Sequence, residues 1–415
     1  MEDPSTKLPQ ELLDHIIDEL SSDRTTLERC AISFQALRLR SQSHLFAKIH
    51  LDEHVPLACK RLHSILTENA SITSHVHKLT VSLFRYNVLT DDEVLPLIFD
   101  MLTSLRAFWL FTTYGRTWTS IPERTKLSLF QIFALPSLST IHLTSLFDIP
   151  TTFFNVPNTL EQLILDRISF DGVLDLDNSP SLFFRALELR SLPRRDYDTT
   201  RHAIIAPKSC LLQMSELCSK LSHDTLPTLV HVLKASAPSL TSIKLSHTYS
   251  KYASPGENVM VSQFRLPGIK NLQHISFTFR IYYSLPAELQ HNSDVVIQQL
   301  ISFLAANADA VRSIETLTMT FTPLPYLGAF REDRRFPNLL RELECWNDLD
   351  RAVYSHCVLP GLRVGLVLLL RSREPSEQVD RRNEWRECMP VQFPLLRARG
   401  ALVLDTEDAL GSSIW

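Results

Sequence analysis

Residues Leu8 to Leu51 read LPQELLDHIIDELSSDRTTLERCAISFQALRLRSQSHLFAKIHL, and the hydrophobic period changes within this stretch. Leu12, Leu13, Ile16, Ile17 and Leu20 fall at helical spacing, with Asp14, His15, Asp18 and Glu19 opposite them. Pro9 suits a first helical position, where a missing N–H costs nothing, and Glu11 and Asp14 put negative charge in the first turn. Asp23 or Thr26 can cap a second helix, whose Leu27, Ala31 and Phe34 form one row widened by Cys30 and Leu37. A third turn over Ser41 to Lys48 carries Leu45 and Phe46. At Ile49 and Leu51 the pattern switches to alternation, which predicts a first strand. Three short helices in about 45 residues lie near the lower size limit for independent stability, so their apolar faces need a further surface. Either the rest of the chain supplies it, with the helices as a cap, or a partner does.

Beyond Leu51 a short motif recurs: an apolar residue, then another three positions on, then another two further. Its central residues are Leu79, Phe108, Ile141, Leu163, Leu187, Ile243, Ile275, Leu317 and Leu343. Successive centres stand 22 to 42 residues apart, except for one gap of 56 that a poor copy around Met214 divides. These periods sit near or above the roughly 20–29 residues of leucine-rich repeats. Each unit predicts a short strand that cannot bury its own face, so stacking must supply the core. Helices are predicted between strands, over Asp91–Leu102, Pro122–Leu135, Asp224–Ala237 and Asp294–Asn307, with one more opened by Pro56. Pro136, Pro157, Pro238, Pro267 and Pro337 each stand just before a motif, where proline ends a helix and leaves the chain extended. The asparagine of a regular leucine-rich repeat is missing: Phe84, Thr113, Leu146, Ile168, Leu192 and Thr248 hold its place. Irregular turns are therefore expected. The charged stretch Leu370–Pro390 reads as an exposed insertion or helix with Arg381 and Arg382 solvated, and Ala401–Leu404 as a last edge strand.

The Leu8-Pro9-Gln10-Glu11-Leu12 opening, the aliphatic run to Leu20, Thr26-Leu27…Cys30 and the Arg40-Ser41…His44-Leu45-Phe46 ending resemble an F-box. They are similar to F-boxes that precede a leucine-rich-repeat-like region. The resemblance implies a substrate-recognition subunit of an SCF-type cullin-RING ubiquitin ligase, serving ubiquitin-dependent degradation. It implies docking on a Skp-family adaptor through Leu8, Pro9, Leu12, Ile16, Ile17, Leu20, Leu27 and Cys30, with the adaptor bridging to cullin and a RING protein. Leu37 stands where the family often has tryptophan, and Phe34 where a smaller residue is common. The expected fold is α/β: residues 1–50 as an F-box-like three-helix module, and 51–415 as an irregular leucine-rich-repeat-like solenoid of short parallel strands and helices. The alternative is a protein-interaction scaffold outside any ligase, its N-terminal helices only capping the solenoid.

A net charge of −4 exerts no general pull on nucleic acid or an anionic membrane. Seven scattered cysteines, an odd number, fit a reducing compartment, and the polar start carries no secretory signal. The longest apolar run, Val364–Leu370, is far short of the ~20 residues that span a bilayer. A soluble protein of cytoplasm or nucleus is expected.

No motif carries catalysis. There is no phosphate-binding glycine loop, nucleophile elbow, zincin helix or Cys-x-x-Cys, so neither cofactor nor metal is expected. His75 and His77 flank Val76 and share a face, with no third ligand near in sequence. Cys30 lies on an apolar helical face and reads as packing. An enzyme is not expected. If the strands line a ligand face, the residues between motif positions meet the protein target. These include Trp109, Phe111, His142, Asp166, Glu188, Arg190, Lys244, Ser246, Thr278, Glu344 and Trp346, of which Trp109, Phe111, Glu188, Arg190, Lys244 and Trp346 are the candidates for substrate binding. Burial of the aromatics under neighbouring loops is the competing reading.

Overall fold

The computed structural model describes residues 8–52, 57–83, 93–171, 182–191, 208–222, 225–249, 261, 264–266, 268–283, 286–325, 340–370 and 375–408. The chain packs as two compact units, Met1–Gly172 with Asn178–Leu182, and Val173–Asp177 with Phe183–Trp415. The N-terminal helices thus share a unit with the first strands.

The first unit begins with α1 (Gln10–Glu19), α2 (Arg24–Ser33) and α3 (Gln35–Phe46). Strands β1 (Lys48–Asp52), β2 (Lys78–Leu83), β3 (Ala107–Thr117), β4 (Thr140–Phe147) and β6 (Asn158–Asp166) then lie parallel in chain order. Helices α4 (Ala58–Glu68), α5 (Val94–Met101) and α6 (Glu123–Phe133) connect them. Two short strands, β5 (Ile149–Pro150) and β7 (Phe170–Asp171), pair separately. In the second unit β8 (Leu182–Leu189), β9 (Glu216–Leu221), β10 (Ser242–Tyr249), β11 (His274–Tyr283), β12 (Thr316–Pro325), β13 (Arg363–Leu370) and β14 (Leu402–Asp408) are again parallel in chain order. Its helices are α7 (Lys208–Leu211), α8 (Leu226–Ser236), α9 (Pro286–Ala306), α10 (Ala308–Val311), α11 (Trp346–His356), α12 (Pro375–Gln392) and α13 (Pro394–Ala398). The architecture is mixed α/β built on parallel strands.

The recurring motif explains the stacking. Its central residues pair directly across strands, Ile49 with Leu79, Phe108, Ile141 and Leu163 in one unit, and Leu187 with Leu217, Ile243, Ile275 and Leu317 in the other. Each is buried together with the apolar neighbour two positions on, save Ile49 at the sheet edge and Ser219, the polar residue of the poor copy. Because strand side chains alternate, a one-residue slip would turn this whole ladder to solvent, so the register is strongly specified. At the heads of several strands one carbonyl accepts two successive N–H groups of the next strand. Ala47 serves His77 and Lys78, His77 serves Arg106 and Ala107, and Arg106 serves Ser139 and Thr140; Thr241 and Gln273 repeat the arrangement.

With no asparagine after the strands, the turns close by other means. Ser145 and Arg167 adopt φ of 55°, and each turns the next residue, Leu146 or Ile168, into the core. Thr112 donates to the Ser145 carbonyl at 2.5 Å. Phe84 and Leu192 lie outside the described residues. Asparagines act instead at helix ends: the Asn158 amide donates to the Phe133 carbonyl at 2.7 Å, and Asn307 to that of Phe303 at 2.8 Å.

Several expectations need correction. Leu340, Leu343 and Cys345 form no strand; together with Trp346, Leu349 and Val353 they continue at helical spacing into α11. The strand of that repeat is β13, where Val364 pairs with Leu317 and Gly361 holds the anchor position, which hid the motif. The single second helix through Phe34 is broken: Phe34 is extended, at φ −132° and ψ 119°, and a twelve-residue α3 comes next. Ser33 and Phe34 are weaker helix formers than Ala31, Gln35 and Ala36 around them, which favours the joint there. Helix α9 starts at Pro286, well before Asp294, because burial of Asn292 and Ser293 overrides their poor propensity. Residues 375–392 are helical, with Trp385 and Met389 buried. Arg381 is buried rather than solvated, and Arg382 Nε donates to Thr406 Oγ1 at 2.6 Å. Residues 371–374, Pro56, Pro267 and Pro337 lie outside the described residues. No described helix is long and apolar enough to cross a membrane.

Candidate functional site

The helical module is held by polar clasps on one side and apolar packing on the other. Asp23 caps α2, accepting from the Thr26 N–H at 3.0 Å and the Thr26 hydroxyl at 2.6 Å. The Asp18 carboxylate, at the end of α1, accepts from Arg40 Nε at 2.6 Å and Nη2 at 2.7 Å, and lies 2.7 Å from His44 Nε2, both residues being on α3. That hydrogen-bonded fork holds the Asp18 carboxyl well below the usual carboxylate range. Gln10 donates to the Ala36 carbonyl at 2.9 Å and completes the join.

The expected adaptor-binding residues divide. Ile17 and Leu27 are fully buried and form the module's own core, while Leu20 and Cys30 are half-buried. Leu8, Leu12 and Ile16 are 56%, 49% and 47% exposed, and Pro9 is exposed beside them. The break at Phe34 re-aims the side chains on either side of it, exposing Phe34, which the sequence placed in an apolar row, together with Ile32 and Leu39, which sequence reasoning passed over. Between α1, α3 and the turn at 70–75 lies a groove of about 650 Å³ lined by Asp14, Leu39, Arg40, His44, His75 and His77 among others. Among the described residues no three His, Cys, Asp or Glu groups gather to hold a metal.

The second surface is the strand face opposite the buried ladder. In the first unit Trp109 and Phe111 of β3 meet edge to face, with ring centres 5.9 Å apart, and both touch the His142 ring of β4, at 5.4 and 4.8 Å. His142 is buried and 3.2 Å from Thr144 Oγ1, whereas Trp109 and Phe111 are half-buried. The Lys78 ammonium lies over the Trp109 ring, 2.9 Å from its centre. Burial, followed by the nearby charge of Lys48, pushes the Lys78 ammonium below its ordinary pKa. Sequence reasoning missed both lysines because they precede the central motif residue instead of coming after it.

In the second unit Glu188 of β8 is buried and pairs with Arg190 Nε, just past the strand, at 2.6 Å. Lys244 bridges to Glu216 at 2.6 Å, more than half exposed. Trp346 does not join them. It is fully buried at the start of α11, packs on Phe321 and Phe393, and donates its indole N–H to the Leu340 carbonyl at 2.5 Å. A core residue cannot read a ligand, so Trp346 is withdrawn from the binding set. Glu344 lies exposed in the turn before α11. Burial pushes the Cys218 thiol up to about 12, with Glu188 adding to the effect, and burial pushes Cys357 up to about 12. Both are protonated near neutral pH and poor nucleophiles.

Neither a protein-family model nor a curated protein matches this chain in sequence. Function is therefore inferred from these two surfaces.

Proposed function

We propose that this chain is the substrate-recognition subunit of an SCF-type cullin-RING ubiquitin ligase. Its N-terminal helices take a Skp-family adaptor, which brings cullin and the RING protein, and its strand faces take a protein target. The observation that supports this reading is the division of the α1 stripe. Ile17 and Leu27 already form an internal core, yet Leu8, Leu12 and Ile16 remain about half exposed. Helices serving only as a cap would turn that stripe onto the strands. Contiguous apolar exposure rimmed by polar residues marks a protein-binding surface, and burying each large aliphatic is worth about 1.5–3 kcal/mol. The chain itself performs no chemistry in this scheme.

The scaffold alternative has its own support. Ala47, at the end of α3, accepts from His77 and Lys78, so the module is tied to the head of β2. Capping and docking use different faces, and one experiment separates them. Co-purification with a Skp-family adaptor compares the native chain with Leu12→Asp/Ile16→Asp, both exposed positions, after circular dichroism and gel filtration establish that the variant is folded. Binding lost in the folded variant is the expected result. A native chain that captures no adaptor refutes the ligase role and leaves a scaffold.

A further inference from the structure

We propose that the Lys48–Lys78–Trp109 end of the first unit's strand face binds an acidic segment of a protein chain. The two ammonium groups receive its carboxylates, and Trp109 and Phe111 seat an adjoining apolar side chain. The inference deepens the reading in which the strand faces take a target, and rests on it only for the target being a protein.

Lys48 and Lys78 are direct cross-strand partners in register, on the face opposite the apolar ladder. Like charges in that relation are mutually destabilising, and neither lysine makes an ion pair among the described residues. Ala107, the next residue in the row, is small, so Lys78 has room to lean over Trp109. A sheet face with two cations that no ion pair neutralises is complementary to a carboxylate.

Lysines beside aromatic rings also suit single-stranded nucleic acid. The other end of the same face argues against that. Asp52 and Asp166 stand in the row four residues on, about 13 Å along the strands. A continuous polyanion laid along the face would meet them, whereas a short acidic segment with an apolar neighbour would not.

The experiment titrates the purified full chain into fluorescein-labelled Gly-Glu-Glu-Phe-Gly-Ser and follows anisotropy at low salt. Gly-Gln-Gln-Phe-Gly-Ser and oligothymidylate are the comparison probes. The glutamate peptide is expected to bind, and the glutamine peptide or a Lys48→Gln/Lys78→Gln chain to weaken binding about ten-fold or more. Trp109→Leu, which keeps both charges, should weaken it too, and thermal melts establish that each variant is folded. Equal affinity for the two peptides, undiminished binding by the lysine variant, no binding of the glutamate peptide, or tighter binding of oligothymidylate would each overturn the proposal. Adaptor capture is measured in parallel on the same preparations. A chain that captures the adaptor but ignores the peptide refutes this inference alone; one that binds the peptide but not the adaptor refutes the ligase role alone.

Discussion

Asp350 is a buried carboxylate on α11 that caps a different helix. Its Oδ2 accepts from the Leu395 N–H at 2.8 Å and its Oδ1 from the Leu396 N–H at 3.0 Å, at the start of α13. That five-residue helix has no cap of its own, since its flanking residue is Phe393. Asp350→Ala leaves both amides without this acceptor, that of Leu396 buried and that of Leu395 part-buried. Hydrogen bonds to a charged acceptor are worth about 1.5–3 kcal/mol each, while removing a buried charge refunds part of its desolvation, so a net loss of about 2–4 kcal/mol is expected. Asp350→Asn keeps one acceptor oxygen and should cost about half as much. Native-state hydrogen exchange read by mass spectrometry localises the effect: the Leu395 and Leu396 amides should exchange at least ten-fold faster in Asp350→Ala, with smaller changes in the first unit. Unchanged protection at those amides, or a loss confined to α11 itself, would refute the idea that Asp350 holds α13.

Further consequences concern other points of the fold. Gly115 has φ of 66°, and a Cβ there would run into the Phe147 ring, so Gly115→Ala should destabilise the first unit by about 2 kcal/mol or more in urea melts. Asn307 accepts from the Leu266 N–H at 2.7 Å and donates to the Phe264 carbonyl at 3.0 Å and to Phe303; Asn307→Ala should cost about 2–4 kcal/mol by the same assay. Burial pushes the His247 imidazole down to about 4. Its folded pKa lies below the unfolded value near 6.5, so the neutral ring favours the fold above that pH, and this contribution is lost as pH falls from about 6.5 toward 4. Denaturation midpoints of His247→Leu should therefore fall less steeply across that window than those of the native chain.

Most strands were legible because each carries its own apolar residues. Leu79, Phe108, Ile141 and Leu163 announce their strands locally, and every one is buried in register. Local pattern misleads where two periods coincide over a few residues. Leu340, Leu343 and Cys345 fit the strand motif, yet the continuation through Trp346 and Leu349 fits a helix, and the helix forms. It misleads again where a backbone break re-aims a face, as at Phe34, and where burial overrides propensity, as at Asn292 and Ser293.

The candidate site was legible as residue types but not as partners. Leu12, Ile16 and Ile17 belong to one stripe in sequence, and only packing decides that Ile17 turns inward while the other two face solvent. Trp109 and Trp346 were alike as interface candidates; one lies under a lysine on an accessible face and the other fills the core. The amino-acid sequence by itself determined the period and most of the strand positions, because those arise from side chains a few residues apart. Only the tertiary structure decided which aromatic is covered, which carboxylate caps which helix and which two lysines are neighbours. Those outcomes depend on residues tens of positions apart meeting across strands, through a register that no single repeat contains.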